Sequence, residues 1–70
     1  MNKFGEKLRT LRKRSGLSQI ELAERLNVQQ SYIGKLERGE RIPNVAMIRN
    51  IVELFHVSFD RLMDDNIELD

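Results

Sequence analysis

The central segment of the chain predicts two short helices that meet at a tight turn, and this feature constrains the fold more than any other. Ser18 can cap the first of these helices, and Glu21, three residues later, completes a capping box. Asn27 tolerates the left-handed conformation that the turn needs. The second helix is predicted over residues 29–38, and Gly39 ends it. Two helices joined in this way form a helix-turn-helix, whose second helix can project from the body of a domain.

Helical periodicity also fills the rest of the chain, without the alternation that is typical of strands. A first helix is predicted over residues 2–14, Asn44 caps a fourth helix, and Ser58 caps a short fifth one. The sequence therefore predicts an all-α, compact five-helix domain over residues 1–64, followed by an acidic tail over residues 65–70 that we expect to be frayed. The basic residues of helix 1 are expected at the surface. The main core positions are expected to be Phe4, Leu8, Leu11, Leu22, Ala23, Leu26, Ile33, Leu36, Ile48, Ile51, Val52, Phe55 and Leu62.

Charge is segregated along the sequence. Residues 1–41 hold ten Lys or Arg and five Glu, whereas residues 42–70 have a net charge of −4. A basic half suggests a face for a polyanion such as nucleic acid. Chance segregation on a solvated surface would give the same pattern, so the charge alone does not decide the function.

Several classes of protein are not supported by the sequence. The absence of cysteine excludes disulfides and thiolate metal sites. No stretch approaches the ~20 apolar residues of a membrane span, and the N-terminus lacks the apolar run of a signal peptide, so we expect a cytoplasmic protein. His56 is the lone histidine and suits the left-handed end of helix 4. We therefore expect no enzyme activity, no metal site and no cofactor.

The segment LSQIELAERLNVQQSYIGKLERGERIP, which begins at Leu17, carries a specific resemblance. It resembles the signature of the lambda-repressor-like (Xre) helix-turn-helix family in Gln19 and Ala23, the pair Glu37 and Gly39, and the apolar positions between them. The likeness spans almost the whole chain, from helix 1 to VSFDRLM. That family includes phage repressors, restriction-modification controller proteins, small bacterial regulators and some antitoxins. The resemblance implies that helix 3 enters the major groove of double-stranded DNA.

The resemblance also implies which side chains contact DNA. Gln19, at the start of helix 2, would bind a phosphate, whereas Gln30, Ser31 and Lys35 would read base edges. Gln29 stands where the family usually has Ser or Thr, which leaves its side chain available to DNA. The full predicted set is Gln19, Gln29, Gln30, Ser31, Tyr32, Lys35, Arg38 and Arg41.

Each of these positions also has a structural interpretation. Gln19 could be a polar residue after the cap, Tyr32 could pack at the edge of the core, and the others could form a solvated face. Gly34 is expected on the exposed face of helix 3, where it would either permit close approach of DNA or simply make no contact. Arg12 and Glu37 are implied to form an ion pair that fixes helix 3 on the body.

The expected function is that of a sequence-specific transcriptional regulator, a repressor acting as a homodimer on a palindromic operator. The alternative is an antitoxin or protein-interaction module with a protein partner and autoregulatory DNA binding. A fragment of a longer repressor fits the sequence as well. The dimer interface is expected among apolar residues of the C-terminal half that could also complete the core, namely Met47, Leu54, Phe59, Met63 and Ile67.

Overall fold

The computed structural model describes residues 3–69. Within this range the chain forms five helices and no strand, as the periodicity predicts. The helices are α1 (Phe4–Arg14), α2 (Gln19–Leu26), α3 (Gln30–Glu37), α4 (Val45–Phe55) and α5 (Phe59–Met63). The predicted start of helix 1 at residue 2 and the end of the tail at residue 70 lie outside the described residues. No helix of this described part is long and apolar enough to cross a membrane.

The helix ends follow the local sequence signals. Ser18 Oγ accepts a hydrogen bond from the Glu21 N–H at 3.0 Å, and the Glu21 carboxylate accepts one from the Ser18 N–H at 2.8 Å, so the predicted capping box is present. Asn44 caps α4 by accepting from the Met47 N–H at 2.8 Å. Asn27 adopts the left-handed conformation with a φ of 59°, as expected. These local bonds fix where α2 and α4 begin and where α2 ends.

The core lies between α1, α2 and α3 and is closed by α4 and α5. The buried apolar residues are Phe4, Leu8, Leu11, Leu22, Ala23, Leu26, Ile33, Leu36, Met47, Ile51 and Leu62. Six of the predicted core residues are completely shielded from solvent, namely Leu8, Leu22, Ile33, Leu36, Ile51 and Leu62. Ile48, Val52 and Phe55 are only partly buried and pack against this core from α4.

A glycine allows α1 and α3 to approach each other closely. A Cβ atom on Gly5 would lie 2.6 Å from the carbonyl oxygen of Leu36, and it would also clash with the carbonyl of Glu37. Both neighbours are backbone atoms of the last turn of α3, so they cannot move without moving the helix. The absence of a side chain at Gly5 thus fixes the position of the C-terminal end of α3 on the body.

Three expectations about the core and the surface are wrong. Met47 is not available for a dimer interface, because it is only 7% exposed and belongs to the core. Lys7 is not a surface residue, since it is only 5% exposed. The tail is not frayed over residues 64–69, where it lies against α1 and α5.

Lys7 explains the order of this tail. Its ammonium group donates hydrogen bonds to three backbone carbonyls, those of Arg61 at 2.6 Å, Asp64 at 2.7 Å and Ile67 at 2.6 Å. Arg61 in turn donates to the carbonyls of Glu68 and Leu69. A buried ammonium group needs such acceptors because burial removes its water. The three carbonyls therefore hold the chain after α5 against α1.

Candidate nucleic-acid interface

The polar face of α3 consists of Gln29, Gln30, Ser31 and Lys35, all of which are exposed. Gln29 is the N-cap residue in an extended conformation, and its side chain makes no capping hydrogen bond. Within residues 3–69, no hydrogen bond or ion pair occupies the side chains of the other three. The structure therefore brings the predicted base readers together on one surface, with their donors and acceptors free to bind a ligand.

The opposite side of α3 is fixed by a buried carboxylate at its C-terminal end. The side chain of Glu37 is fully shielded from solvent and accepts from Arg12 Nε at 2.6 Å and from Arg12 Nη2 at 3.1 Å. The predicted ion pair of Arg12 and Glu37 is thus present and bidentate. Arg12 also donates to the carbonyl oxygen of Leu17 at 3.0 Å, so it links α1, the loop before α2, and α3.

Two further side chains complete what we call the Glu37 cluster, which comprises Glu37, Arg12, Arg9 and Gln19. Arg9 Nε lies 3.4 Å from Glu37 Oε1, and Gln19 Nε2 donates to the same oxygen at 3.1 Å. Burial by itself raises the pKa of Glu37. Hydrogen bonds from Arg12 and Gln19 and the charge of Arg12 outweigh that effect and hold the pKa of Glu37 below its ordinary value. Glu37 is therefore ionised at neutral pH and joins the first three helices.

The start of α2 retains unused backbone donors. The capping box occupies the N–H groups of Ser18 and Glu21, whereas within the described chain no acceptor is present for those of Gln19 and Ile20. The Gln19 amide uses one of its N–H bonds on Glu37 and has a second one. A helix N-terminus with unpaired N–H groups favours an anion. Gln19 is thus more than a polar residue after the cap, because it donates to Glu37, and its phosphate contact stays a prediction.

The loop after α3 carries the two predicted arginines. Arg41 lies over the ring of Tyr32, with its guanidinium carbon 5.7 Å from the ring centroid, and the partly buried Tyr32 packs against the core. Arg38 donates from Nε to Glu40 Oε2 at 2.6 Å, and both side chains are about half exposed. Arg38 thus already has an acidic partner, which the sequence interpretation missed.

Gly34 is not exposed, contrary to expectation. It is buried because the guanidinium of Arg38 lies over it, and a Cβ atom on Gly34 would be 3.0 Å from Arg38 Nη1. The spacing of four residues within a helix is the signal that could have revealed this contact.

The residues predicted for a dimer interface do not share one environment. Phe59 is 57% exposed, whereas Leu54 and Met63 are partly buried against the core. Ile67 is partly buried as well. Three other exposed apolar residues were not predicted for an interface: Ile20 on α2, Val45 at the start of α4, and Ile42 in the loop before α4. Among residues 3–69, no group of three His, Cys, Asp or Glu residues is placed to hold a metal ion.

Comparison with known proteins identifies relatives that share this architecture. A helix-turn-helix family model matches residues 8–62. The uncharacterised HTH-type transcriptional regulator YazB of Bacillus subtilis is 34% identical over 59 residues, which cover 84% of this chain and 86% of YazB. The restriction-modification controller protein C.AhdI of Aeromonas hydrophila superimposes with a TM-score of 0.78 at 36% identity, over 87% of this chain and 92% of that structure.

SinR of Bacillus subtilis is similar in both sequence and structure. Its N-terminal DNA-binding domain gives a TM-score of 0.84 at 29% identity, covering 97% of this chain and 100% of that domain. A structure of SinR in complex with DNA gives a TM-score of 0.79 at 31% identity, covering 87% of this chain and 98% of that one. The chain spans 60% of the full length of SinR, and less than two thirds of the length of most curated relatives that it matches.

Proposed function

This chain belongs to the helix-turn-helix family of transcriptional regulators, and from that premise we propose that it binds double-stranded DNA sequence-specifically with α3 in the major groove. The observation that carries the proposal is the polar face of α3. Its side chains are exposed and make no hydrogen bond or ion pair within residues 3–69, while the Glu37 cluster holds the other side of the helix on the body. A helix held in this way, with unpaired polar side chains, is suited to bind the hydrogen-bond donors and acceptors that base pairs present in the major groove.

The chemistry of this face matches the edges of base pairs. A Gln30 amide can bond N6 and N7 of adenine together, and Lys35 can donate to O6 and N7 of guanine. Ser31 can donate or accept. Gln19, with the unpaired N–H groups at the start of α2, and Arg41 would contact phosphates, which fix the register of the helix without reading sequence.

We further propose that the protein acts as a homodimer on a palindromic operator. One copy offers only about one turn of α3 to the bases, and a two-fold dimer doubles these contacts on a symmetric site. Phe59 supports an isologous contact through α5, because it is 57% exposed and aromatic side chains are enriched at protein interfaces. Leu54, Met63 and Ile67 are the remaining proposed members of that interface.

Repression is the mode of regulation that we propose, because a bound protein blocks a promoter by occupancy alone, whereas activation needs a further contact. A regulator of this kind would work in the cytoplasm. The second candidate, an autoregulatory antitoxin, is favoured only by the acidic C-terminal half of the sequence. Copurification of a stoichiometric protein partner from the native host would support that candidate.

Selection of bound sites from random duplexes tests the proposed function. We expect a two-fold symmetric consensus, and a log affinity that falls linearly with log salt by about 0.9 for each phosphate contacted. A reporter gene carrying the selected site within its promoter should lose expression when the protein is produced. Failure to enrich any sequence, or an affinity that does not change with salt, would contradict the proposal, and a rise in reporter expression would contradict repression.

A further inference from the structure

The loop after α3 holds an ion pair that the proposed function does not use. Arg38 donates to Glu40 from Nε at 2.6 Å and from Nη2 at 3.5 Å. These two groups form the edge of the guanidinium with which an arginine binds a phosphate bidentately. Glu40 therefore occupies the part of Arg38 that would contact the DNA backbone.

Gly34 accommodates another part of the same guanidinium. It precedes Arg38 by about one helical turn, and a Cβ atom there would lie 3.0 Å from Arg38 Nη1. The Arg38 side chain thus lies along the surface of α3. A larger residue at position 34 would crowd it. Gly34 leaves room for the guanidinium of Arg38, and Glu40 holds it there.

Glu40 is also negatively charged at the surface that would approach DNA. The hydrogen bond from Arg38, with the charges of Arg38 and Lys35, keeps the pKa of Glu40 below its ordinary value, so the carboxylate is ionised at neutral pH. The ionised carboxylate therefore neutralises the positive charge of Arg38, which would otherwise attract a phosphate.

We propose that Glu40 is an intramolecular substitute for a DNA phosphate, which holds Arg38 against α3 in the free protein and lowers affinity for DNA of every sequence. This inference rests on the proposed function. The carboxylate has to be displaced before Arg38 can contact a phosphate, and phosphates carry no base identity. Glu40 therefore weakens the electrostatic part of binding, which supplies most of the affinity for non-specific DNA. Glu40 is a positioning residue that acts through Arg38.

Four variants test this role in binding measurements at several salt concentrations, on the selected site and on scrambled duplex. Glu40→Gln should tighten binding to both duplexes by about tenfold at low salt and steepen the salt dependence by about one phosphate per subunit. In an Arg38→Ala background the same change should have less than about a twofold effect. Glu53→Gln removes the same charge from an exposed position on α4 and serves as the control.

Two results would overturn the inference: a gain in DNA affinity from Glu40→Gln that is the same with and without Arg38, or one no larger than that from Glu53→Gln. In either case the change in net charge alone would explain the gain. The free protein gives a second measurement that needs no DNA. By NMR, the Arg38 Nε–H should exchange with water more slowly in the wild type than in Glu40→Gln. Equal exchange would overturn the inference as well. Absence of wild-type binding to any duplex would instead identify the proposed function as the part that fails.

Discussion

At the scale of single residues, Glu37 is the side chain on which the position of α3 depends. Its pair with Arg12 was predicted from the sequence, but the contributions of Arg9 and Gln19 were not. Arg9 and Arg12 are three positions apart on α1, and side chains at that spacing share a face of a helix. That spacing could have indicated Arg9, whereas no pattern in the sequence shows that Gln19 reaches a carboxylate 18 residues away.

Replacement of Glu37 by glutamine tests the energetic importance of the cluster. At neutral pH, Glu37→Gln should lower the free energy of unfolding by about 3 kcal/mol, because Arg12 loses its buried counter-charge. Because the native pKa of Glu37 is lowered, its stabilisation is present above the ordinary value of 4.5 and is lost as the pH falls through the native pKa. The difference between wild type and variant should therefore be constant near neutrality and shrink below that value.

Urea denaturation between pH 7 and pH 3 measures this difference. The exposed Glu24→Gln is the matched control and should change the free energy of unfolding by less than about 0.5 kcal/mol at each pH. A difference for Glu37→Gln that stays the same across the whole range would show that the pKa of Glu37 is not lowered in the native state, because stability depends on pH only where folded and unfolded pKa values differ.

At the scale of the helices, the caps were predicted correctly from the sequence, whereas the close approach of α1 and α3 and the burial of Gly34 were not. The caps at Ser18, Asn44 and Ser58 depend on residues three positions away, so their spacing is visible in the sequence. The close approach of α1 and α3 depends instead on Gly5 meeting a backbone more than 30 positions further on. Gly34 was wrongly expected to be exposed, because the group that buries it is the flexible side chain of Arg38.

The two helical glycines, Gly5 and Gly34, give a matched pair of predictions. Alanine is about 1 kcal/mol more favourable than glycine within a helix, so propensity alone would stabilise both variants. Gly5→Ala should nevertheless lower the free energy of unfolding by about 1–3 kcal/mol, because its Cβ meets backbone carbonyls of α3. Gly34→Ala should leave stability unchanged or raise it by up to about 1 kcal/mol, because only the flexible end of Arg38 must move. Thermal or urea unfolding measures the free energy of unfolding of both variants. Equal changes in the two variants would contradict the packing described for Gly5.

At the scale of the whole molecule, the sequence indicated the fold class and the helix-turn-helix, whereas the course of the tail could not be predicted from it. Lys7 lies on a helix rich in surface lysines and arginines, so its pattern is typical of a solvated position. Its acceptors are backbone carbonyls 54 to 60 residues further along the chain, and every residue has such a carbonyl. Met47 was misassigned for a related reason, since a flexible apolar side chain suits either a core or an interface.

The proposed dimer is tested by a charge at Phe59. Phe59→Asp should convert the protein to a monomer in sedimentation and weaken binding to the selected site, with little loss of stability because the side chain is already 57% exposed. Ile20→Asp introduces the same charge at a residue that is 53% exposed and should leave sedimentation of the free protein unchanged. A wild type that sediments as a monomer both free and on DNA would show that the dimer proposal is wrong.

The central claim is that the first turn of α3 reads base edges, and the affinity of Gln30→Ala tests it most directly. Binding of this variant should be measured on the selected site and on scrambled duplex at several salt concentrations. The change should cost about 1–3 kcal/mol on the selected site and leave binding to scrambled DNA nearly intact, because a bidentate base contact is lost. Gln19→Ala, checked to be folded, should weaken both duplexes by similar factors, because it removes a phosphate contact. An equal loss on both duplexes for Gln30→Ala would show that α3 does not read sequence at this position.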